Sequence, residues 1–440
     1  MTGPGANLFT IIHMRYALFI LTAMLITGIA GCAASNEIHE NEKKLLLDLR
    51  AEIVEDLKEN LLPFWKKYSV DPEDPNRGFF GAITNDGTGI ADAKKHNVLF
   101  TRYLWTFSAA CRVLADEESN ELAHRAYRYF LNHFVDHEFG GVYWELNHDG
   151  TVSDPGKITY GLSFAVYALS EYYRKTLIQE SLDHAIKLYY LIEKHSGDRE
   201  FGGYLEAFSR EWKYDAEAGL AAGQAKSMNT HLHLLEAYTN LYRAWQDKQL
   251  EESIYKLIEV FMKRIIDTGR YHQDLYFSRD WTVYGKYDSY GHDIEFSWLI
   301  VEAANVLGNQ DLVNKIEELA VKIADVQLSV GMNPEGAMIY ERVGEDQYRR
   351  NIDWWVQAEA VVGFLNAYEI SGERRFLDAA AGVWDYIKEN MVDRQHGGWF
   401  PSLDENGNPR PDRNKGDAWT CPYHNVRMGL EVYQRFNHLK

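Results

Sequence analysis

Ser289-Tyr290-Gly291-His292-Asp293-Ile294-Glu295-Phe296-Ser297-Trp298 puts polar and aromatic chemistry at the start of a helix-like segment, and five other stretches of the chain do the same. The six centre on Arg102, Ser163, Asn229, His292, Trp355 and His424, so the steps are 61, 66, 63, 63 and 69 residues. A repeat of that length is one helical hairpin, and internal periodicity constrains architecture more than any single motif. Six hairpins closing into a ring bring all six stretches to one central pocket. Such a pocket would hold histidines, carboxylates, an arginine and tryptophans, a set that points to an enzyme working on a sugar.

A second pattern runs between the six stretches: glycine followed by aromatic or apolar residues. It occurs as Gly78-Phe79-Phe80, Gly140-Gly141-Val142-Tyr143-Trp144, Gly202-Gly203-Tyr204, Gly336-Ala337-Met338 and Gly397-Gly398-Trp399-Phe400. The intervals are 63, 62, 133 and 62 residues, and the long one is two units with a glycine element lost near Leu275-Tyr276-Phe277. Glycine permits positive φ and closes a tight turn, and the residues after it alternate like a short strand. Each unit therefore reads helix, glycine turn with a short hairpin, helix.

The helices fall into two kinds. Phe164-Ala165-Val166-Tyr167-Ala168-Leu169 has no polar face, as in a helix buried on all sides. From Glu251 to Lys263, Ile254, Leu257, Ile258 and Phe261 form one stripe while Glu252, Lys256 and Glu259 lie off it. An inner ring of apolar helices and an outer ring of amphipathic ones is the arrangement this implies. Helix starts direct unpaired N–H groups and partial positive charge at the pocket mouth. The expected fold is all-α, an (α/α)6 barrel of six helical hairpins with short β-hairpin or glycine-turn loops around a central pocket. The alternative, an open helical solenoid, would lack a deep pocket.

The first 32 residues stand apart. Ala17 to Ala30 is an almost unbroken apolar run, preceded by Arg15 and followed by Gly31-Cys32, which reads as a secretory signal. Ile29-Ala30-Gly31-Cys32 resembles the end of a bacterial lipoprotein signal, which implies lipidation of Cys32. Met14 is a candidate start, since Met1 to His13 adds no charge; the alternative is an uncleaved anchor. The expected division is residues 1–32 as signal, 33–44 as a solvated tether and 45–440 as one catalytic domain. The envelope, with a lipid anchor on Cys32, is the expected location, or the cytoplasm if the signal is not used.

The formal charge of −19 argues against nucleic acid or other polyanions, which need a basic face. Cys111 and Cys421 are expected as free, mostly buried thiols. Aromatics make up 14% of the chain, with 12 Trp and 28 Tyr. They suit stacking against the C–H faces of sugars, or a helical core alike.

Within Ser289–Trp298, His292 and Glu295 lie one turn apart on one face. A carboxylate beside an imidazole orients the ring and raises its basicity, which suits a general base, although a structural His–Glu pair has the same spacing. Trp419-Thr420-Cys421-Pro422-Tyr423-His424-Asn425-Val426-Arg427 puts Pro422 at a helix start and His424 near it. Cys421 as a nucleophile beside His424 has nothing else to support it. In Asn229-Thr230-His231-Leu232-His233-Leu234-Leu235-Glu236, Asn229 and His233 share a face, with Glu236 a turn on. His231 and His233 point about 160° apart on a helix, so no metal site is expected there. Trp355 and Glu359 pair as platform and carboxylate. Glu295 with Glu359 could alternatively serve a glycoside hydrolase. Two histidines around one carbon instead suit proton removal and return beside an aldehyde, through a cis-enediolate. Arg102 could hold the enediolate oxygens by charge-assisted bonds.

Over nearly everything from Glu52 to Leu430, the chain resembles the cellobiose 2-epimerase branch of the N-acylglucosamine 2-epimerase superfamily. The resemblance rests on Leu62-Pro63-Phe64-Trp65, Tyr160-Gly161, Lys226 to His233, Ser289 to Glu295, Asp353 to Glu359 and Cys421-Pro422-Tyr423-His424. It implies reversible conversion of the reducing-end glucose of a β-1,4-linked disaccharide to mannose, without metal or nucleotide cofactor. His292 and His424 would be the acid/base pair, His424 also assisting ring opening, and Arg102 would bind the reacting oxygens. Tyr160, Asn229, His233 and Glu295 would hold the open-chain sugar. Trp355 and Trp419 would flank the sugars, and Glu359 would bond hydroxyls. A monosaccharide epimerase or isomerase is a second possibility. A monomer is expected, and the lipoprotein-like signal departs from a family that is often cytoplasmic.

Overall fold

In the computed structural model, residues 40–72, 78–220 and 223–439 are described. The first helix, α1 (40–56), passes through a π-helical turn, Leu57–Leu61, into α2, Leu62–Tyr68. Next come α3 (Asn97–Leu114) and α4 (Glu117–Tyr129), α5 (Thr159–Thr176) and α6 (Gln179–His195), α7 (Met228–Ala244) and α8 (Lys248–Val260). The series ends with α9 (Tyr290–Leu307) and α10 (Gln310–Val330), α11 (Trp354–Ser371) and α12 (Arg374–Tyr386), and α13 (Tyr423–Arg435). Helices α3, α5, α7, α9, α11 and α13 each pack on the next, and α13 returns to α3. That last contact makes the structure a closed ring, an (α/α)6 barrel.

The two helix classes read from sequence occupy the two rings. Phe164 to Leu169 of the inner helix α5 are all buried. The outer α8 buries Ile254, Leu257 and Ile258 and exposes Glu252, Lys256 and Glu259. Phe261, on the same stripe, is buried in the π-helical turn that ends this helix. The signal segment and Cys32 lie outside the described residues. Residues 40–44, expected in the tether, are instead the first turn of α1, and Tyr368 Oη donates to the buried Glu42 at 3.5 Å. Their polar composition masked an outer-helix pattern whose stripe continues as Leu46, Leu49, Ile53 and Leu57.

Short antiparallel pairs stitch neighbouring units at the N-terminal rim of the inner helices. Lys157–Ile158 pairs with Ala207–Phe208, Lys226–Ser227 with Tyr276–Phe277, and Ile352–Asp353 with Ser402–Leu403. The glycine pairs do adopt positive φ, for example +74° at Gly140 and +77° at Gly141. In the unit that lacks the glycine–aromatic element, the turn lies slightly before the expected place, between Ile266–Asp267 and His272–Gln273; it contains Gly269, but Tyr271 takes the left-handed conformation at φ 55°. Three of the turns are held by a buried ion pair to a lysine of the next unit: Lys157–Asp136 at 2.8 Å, Lys226–Asp198 at 2.9 Å and Lys415–Asp393 at 2.5 Å. At the far end, Arg112–Glu171, Arg243–Glu302 and Arg435–Glu369 bridge adjacent inner helices.

Candidate active site

The N-terminal ends of the inner helices surround a cavity of about 280 Å³. Arg102, Tyr160, Asn229, His233, His292, Glu295, Trp355, Trp419 and His424 line it, so nine of the ten residues expected at the site meet there. Trp354, Tyr340, Asp353 and Arg413 complete the lining. Sequence reading gave the last four no role: Tyr340 and Arg413 lie in loops and Asp353 ends a strand, while Trp354, the first residue of α11, was passed over for its neighbour Trp355.

His424 follows Pro422, which caps α13. Its Nδ1 lies 2.7 Å from Glu359 Oε1, so the carboxylate fixes the ring with Nε2 toward the cavity. Glu359 also accepts from Trp298 Nε1 at 2.9 Å and from Arg427 Nη2 at 2.7 Å. Both of its oxygens are therefore committed beneath the cavity, and it does not line the space expected for sugar hydroxyls. The pairing expected between His292 and Glu295 is also absent. His292 Nδ1 meets Ser289 Oγ at 2.7 Å, while Glu295 Oε1 accepts from Arg427 Nη2 at 2.6 Å. A buried guanidinium attracts a carboxylate more strongly than a neutral imidazole does.

Trp355 stands against both histidines, with ring centroids 4.7 Å from His292 and 5.6 Å from His424. This contact needs Gly291: a Cβ there would lie 2.6 Å from Trp355 Cη2. Trp419, 43% exposed, stands at the rim 5.9 Å from Tyr160. Arg102 donates to Tyr160 Oη at 3.0 Å and to the Trp419 carbonyl at 3.3 Å, and its guanidinium lies 4.4 Å over Phe164. Among the described residues no carboxylate is bonded to it, which leaves its charge for a ligand oxygen.

Arg427 is the organising residue that sequence reading passed over. Fully buried, it bonds Glu236, Glu295, Glu359 and Tyr423. Its position three residues after His424, inside a quoted stretch, was the available signal. Among the described residues, Glu295, Glu359 and His424 form a cluster of metal-ligating type, but the guanidinium already sits on both carboxylates. Burial opposes ionisation of Glu236, yet Arg427 and His233 bring it down to about 2. Burial and the charge of Glu359 push Glu295 up to about 8. Glu295 Oε2 and Asn229 Oδ1 are buried without a protein partner and are available to a ligand.

Burial drives His292 down to about 3, with His233 adding to the effect. Burial, then the charges of Arg102 and Arg427, lower His424 well below its ordinary value. Both imidazoles are thus neutral proton acceptors at neutral pH. His233 Nδ1 is held by Glu236 at 2.9 Å. His231 points away: its Nε2 accepts from Tyr204 N at 2.9 Å and Nδ1 meets the Ser227 carbonyl at 2.7 Å. The opposite orientation of these two histidines is as the helix spacing required. Cys111 and Cys421 are free and buried.

Comparison with known proteins agrees with this geometry. The family model described as N-acylglucosamine 2-epimerase matches residues 78–427. A cellobiose 2-epimerase of Bacteroides fragilis is 44% identical over 388 residues, covering 87% of this chain and 98% of that protein. One from Ruminococcus albus is 37% identical, covering 88% and 98%. The solved cellobiose 2-epimerase of Bacillus thermoamylovorans superposes with a TM-score of 0.83 at 40% identity, covering 88% of this chain and 99% of that one. The chain belongs to the N-acylglucosamine 2-epimerase family and is a carbohydrate epimerase.

Proposed function

We propose that the protein reversibly epimerises C2 of the reducing-end sugar of a β-1,4-linked disaccharide, cellobiose to glucosyl-mannose in the first instance, with lactose and mannobiose as related substrates. The observation that carries this reading is the pair His292 and His424, each tethered through Nδ1 and both against Trp355 in one cavity. After ring opening, assisted by His424, one imidazole Nε2 takes the C2 proton and the C–H electron pair moves toward O1, giving a cis-enediolate. Arg102 offsets the charge on the enediolate oxygens. The other histidine, charged by a proton taken from solvent, returns it to the opposite face of C2 as the C1 carbonyl re-forms, and the first then releases its proton to solvent. Proton count is conserved over the cycle. Asn229, His233, Tyr160 and Glu295 supply polar groups to the open chain, and the exposed Trp419 offers a stacking face for the second sugar.

A hydrolase reading finds less support. Retaining and inverting glycosidases place two carboxyl groups on either side of the scissile bond, about 5–9.5 Å apart. Here Glu295 and Glu359 bond the same Arg427 nitrogen, at 2.6 and 2.7 Å, and Glu359 does not reach the cavity. Residues 33–440 incubated with cellobiose in D₂O and followed by proton NMR test the reading. Glucosyl-mannose deuterated at C2 is expected, and His292→Ala and His424→Ala are expected to abolish it. Release of free glucose would overturn the reading. Unchanged cellobiose, mannobiose and lactose would do the same.

The apolar run ending at Cys32 supports export with a lipid on that cysteine. Among the described residues, no helix is long and apolar enough to cross a membrane. Membrane fractionation should then find the full chain with the membrane and Cys32→Ala released from it, and an equal distribution of both would refute the anchor.

A further inference from the structure

Ser289 occupies the residue just before α9, where a serine hydroxyl ordinarily accepts from the backbone N–H two or three residues on. Ser227, at the same place before α7, does so: its Oγ accepts from Thr230 N at 3.1 Å and donates to Glu206 at 2.5 Å. Ser289 makes no cap bond. Its hydroxyl turns instead to His292 Nδ1 at 2.7 Å. One repeat position thus serves the helix in one unit and an imidazole in another.

We propose that Ser289 is a positioning residue for His292: its Oγ accepts the Nδ1 proton and aims Nε2 at the cavity without adding negative charge. The inference rests on His292 being a proton-transfer group of the proposed epimerisation. Its physical content is the contrast with His424, whose Nδ1 is held by the Glu359 carboxylate. An anion stabilises an imidazolium, and a hydroxyl does so far less. At Nδ1 alone, His424 therefore has anionic support for its imidazolium that His292 lacks, while Arg102 and Arg427 oppose that charge.

In the productive cycle His292 alternates between imidazolium and the neutral form protonated at Nδ1. Ser289 Oγ accepts from Nδ1–H in both, so the ring stays in place against Trp355 while only the Nε2 proton comes and goes. The groups acting electrostatically on His292 from other helices are His233 on α7 and Glu359 on α11. His424 on α13 lies across Trp355. Asp293, next in the chain, faces away and is bonded to His272 Nδ1 at 2.7 Å and to Gln273 N at 2.9 Å. Among the described residues no anion is bonded to the His292 ring, and the neutral Ser289 hydroxyl is its one hydrogen-bond partner.

The test compares Ser289→Ala, Ser289→Thr and Ser289→Asp with the wild type, assayed from each epimer. Ser289→Ala is expected to lower kcat about 10- to 100-fold with KM within about twofold, the scale at which losing a partner that orients a histidine is felt. Its melting temperature should change little, since no cap bond is lost. Ser289→Thr, which keeps the hydroxyl, should recover most of kcat. Ser289→Asp puts an anion on Nδ1, raises the basicity of His292 and moves its kinetic pKa up by about one unit or more. The acid limb then shifts up in pH in the direction where His292 accepts the proton, and the alkaline limb in the reverse direction. Wild-type turnover with an unimpaired Ser289→Ala, or an unshifted Ser289→Asp profile, overturns this inference alone. A wild type inactive on all three disaccharides overturns the epimerase reading and this inference with it.

Discussion

Replacing Glu359 with glutamine changes one atom and removes one charge at the point where three donors converge. Glu359 Oε1 receives His424 Nδ1 and Arg427 Nη2, both at 2.7 Å, and Oε2 receives Trp298 Nε1 at 2.9 Å. A glutamine has one acceptor oxygen, so its NH₂ must meet a donor whichever way it turns. Facing NH₂ to Trp298 is the cheaper choice, because it spoils one bond rather than two. That unsatisfied buried donor costs about 1–3 kcal/mol of stability. The His424 bond survives but loses its charge assistance, roughly half its strength, or about 1–1.5 kcal/mol. That is about tenfold in the stability of the imidazolium formed during proton transfer. The expected result is a kcat about tenfold lower, KM within about threefold, and a melting temperature lower by a few degrees. Initial rates of epimer formation and a thermal unfolding scan measure both. A Glu359→Gln enzyme with kcat within twofold of wild type would refute the claim that the anion supports His424.

Three other substitutions probe the geometry. Gly291→Ala should displace Trp355, since the new Cβ would lie 2.6 Å from its ring, costing about 1–3 kcal/mol in urea unfolding and most of the turnover. His231 is held neutral at about 4 by burial, below an ordinary 6.5, so the unfolded chain binds its proton first and stability falls as pH drops from about 6.5 to about 4. On the order of 3 kcal/mol is at stake, and unfolding at pH 7 and pH 4.5 should show a larger loss in wild type than in His231→Gln. Lys226→Met leaves the buried Asp198 with Arg279, at 3.0 Å, as its remaining cation, and should cost about 1–3 kcal/mol, read as a lowered unfolding midpoint.

Much of the architecture was legible because the barrel repeats. A 61- to 69-residue step carries its signal six times, and the contrast between Phe164–Leu169 and Glu251–Lys263 separates the two rings without any contact information. Residues 40–44 were misplaced because a single polar turn, read alone, does not reveal the stripe that continues after it. The unit closed by Tyr271 escaped for a similar reason, since its left-handed position is a tyrosine, not a glycine, and Gly269 lies outside the glycine–aromatic pattern. Among site residues, most at helix starts were found through the repeat, whereas Asp353, Arg413 and Tyr340 lie beside it and Trp354, at the start of α11, was passed over for its neighbour Trp355.

What the sequence by itself determined is most of the groups that face the cavity, because helical periodicity and capping are local and fix which side chains share a face. Only the tertiary structure decided who holds whom. His292 and Glu295 are one turn apart on α9, yet Glu295 goes to Arg427 on α13 and His292 to Ser289. His424 is oriented by Glu359, 65 residues away. In a buried cluster the strongest donor claims the carboxylates first, and which donor is within reach depends on ring closure between α13, α11 and α9.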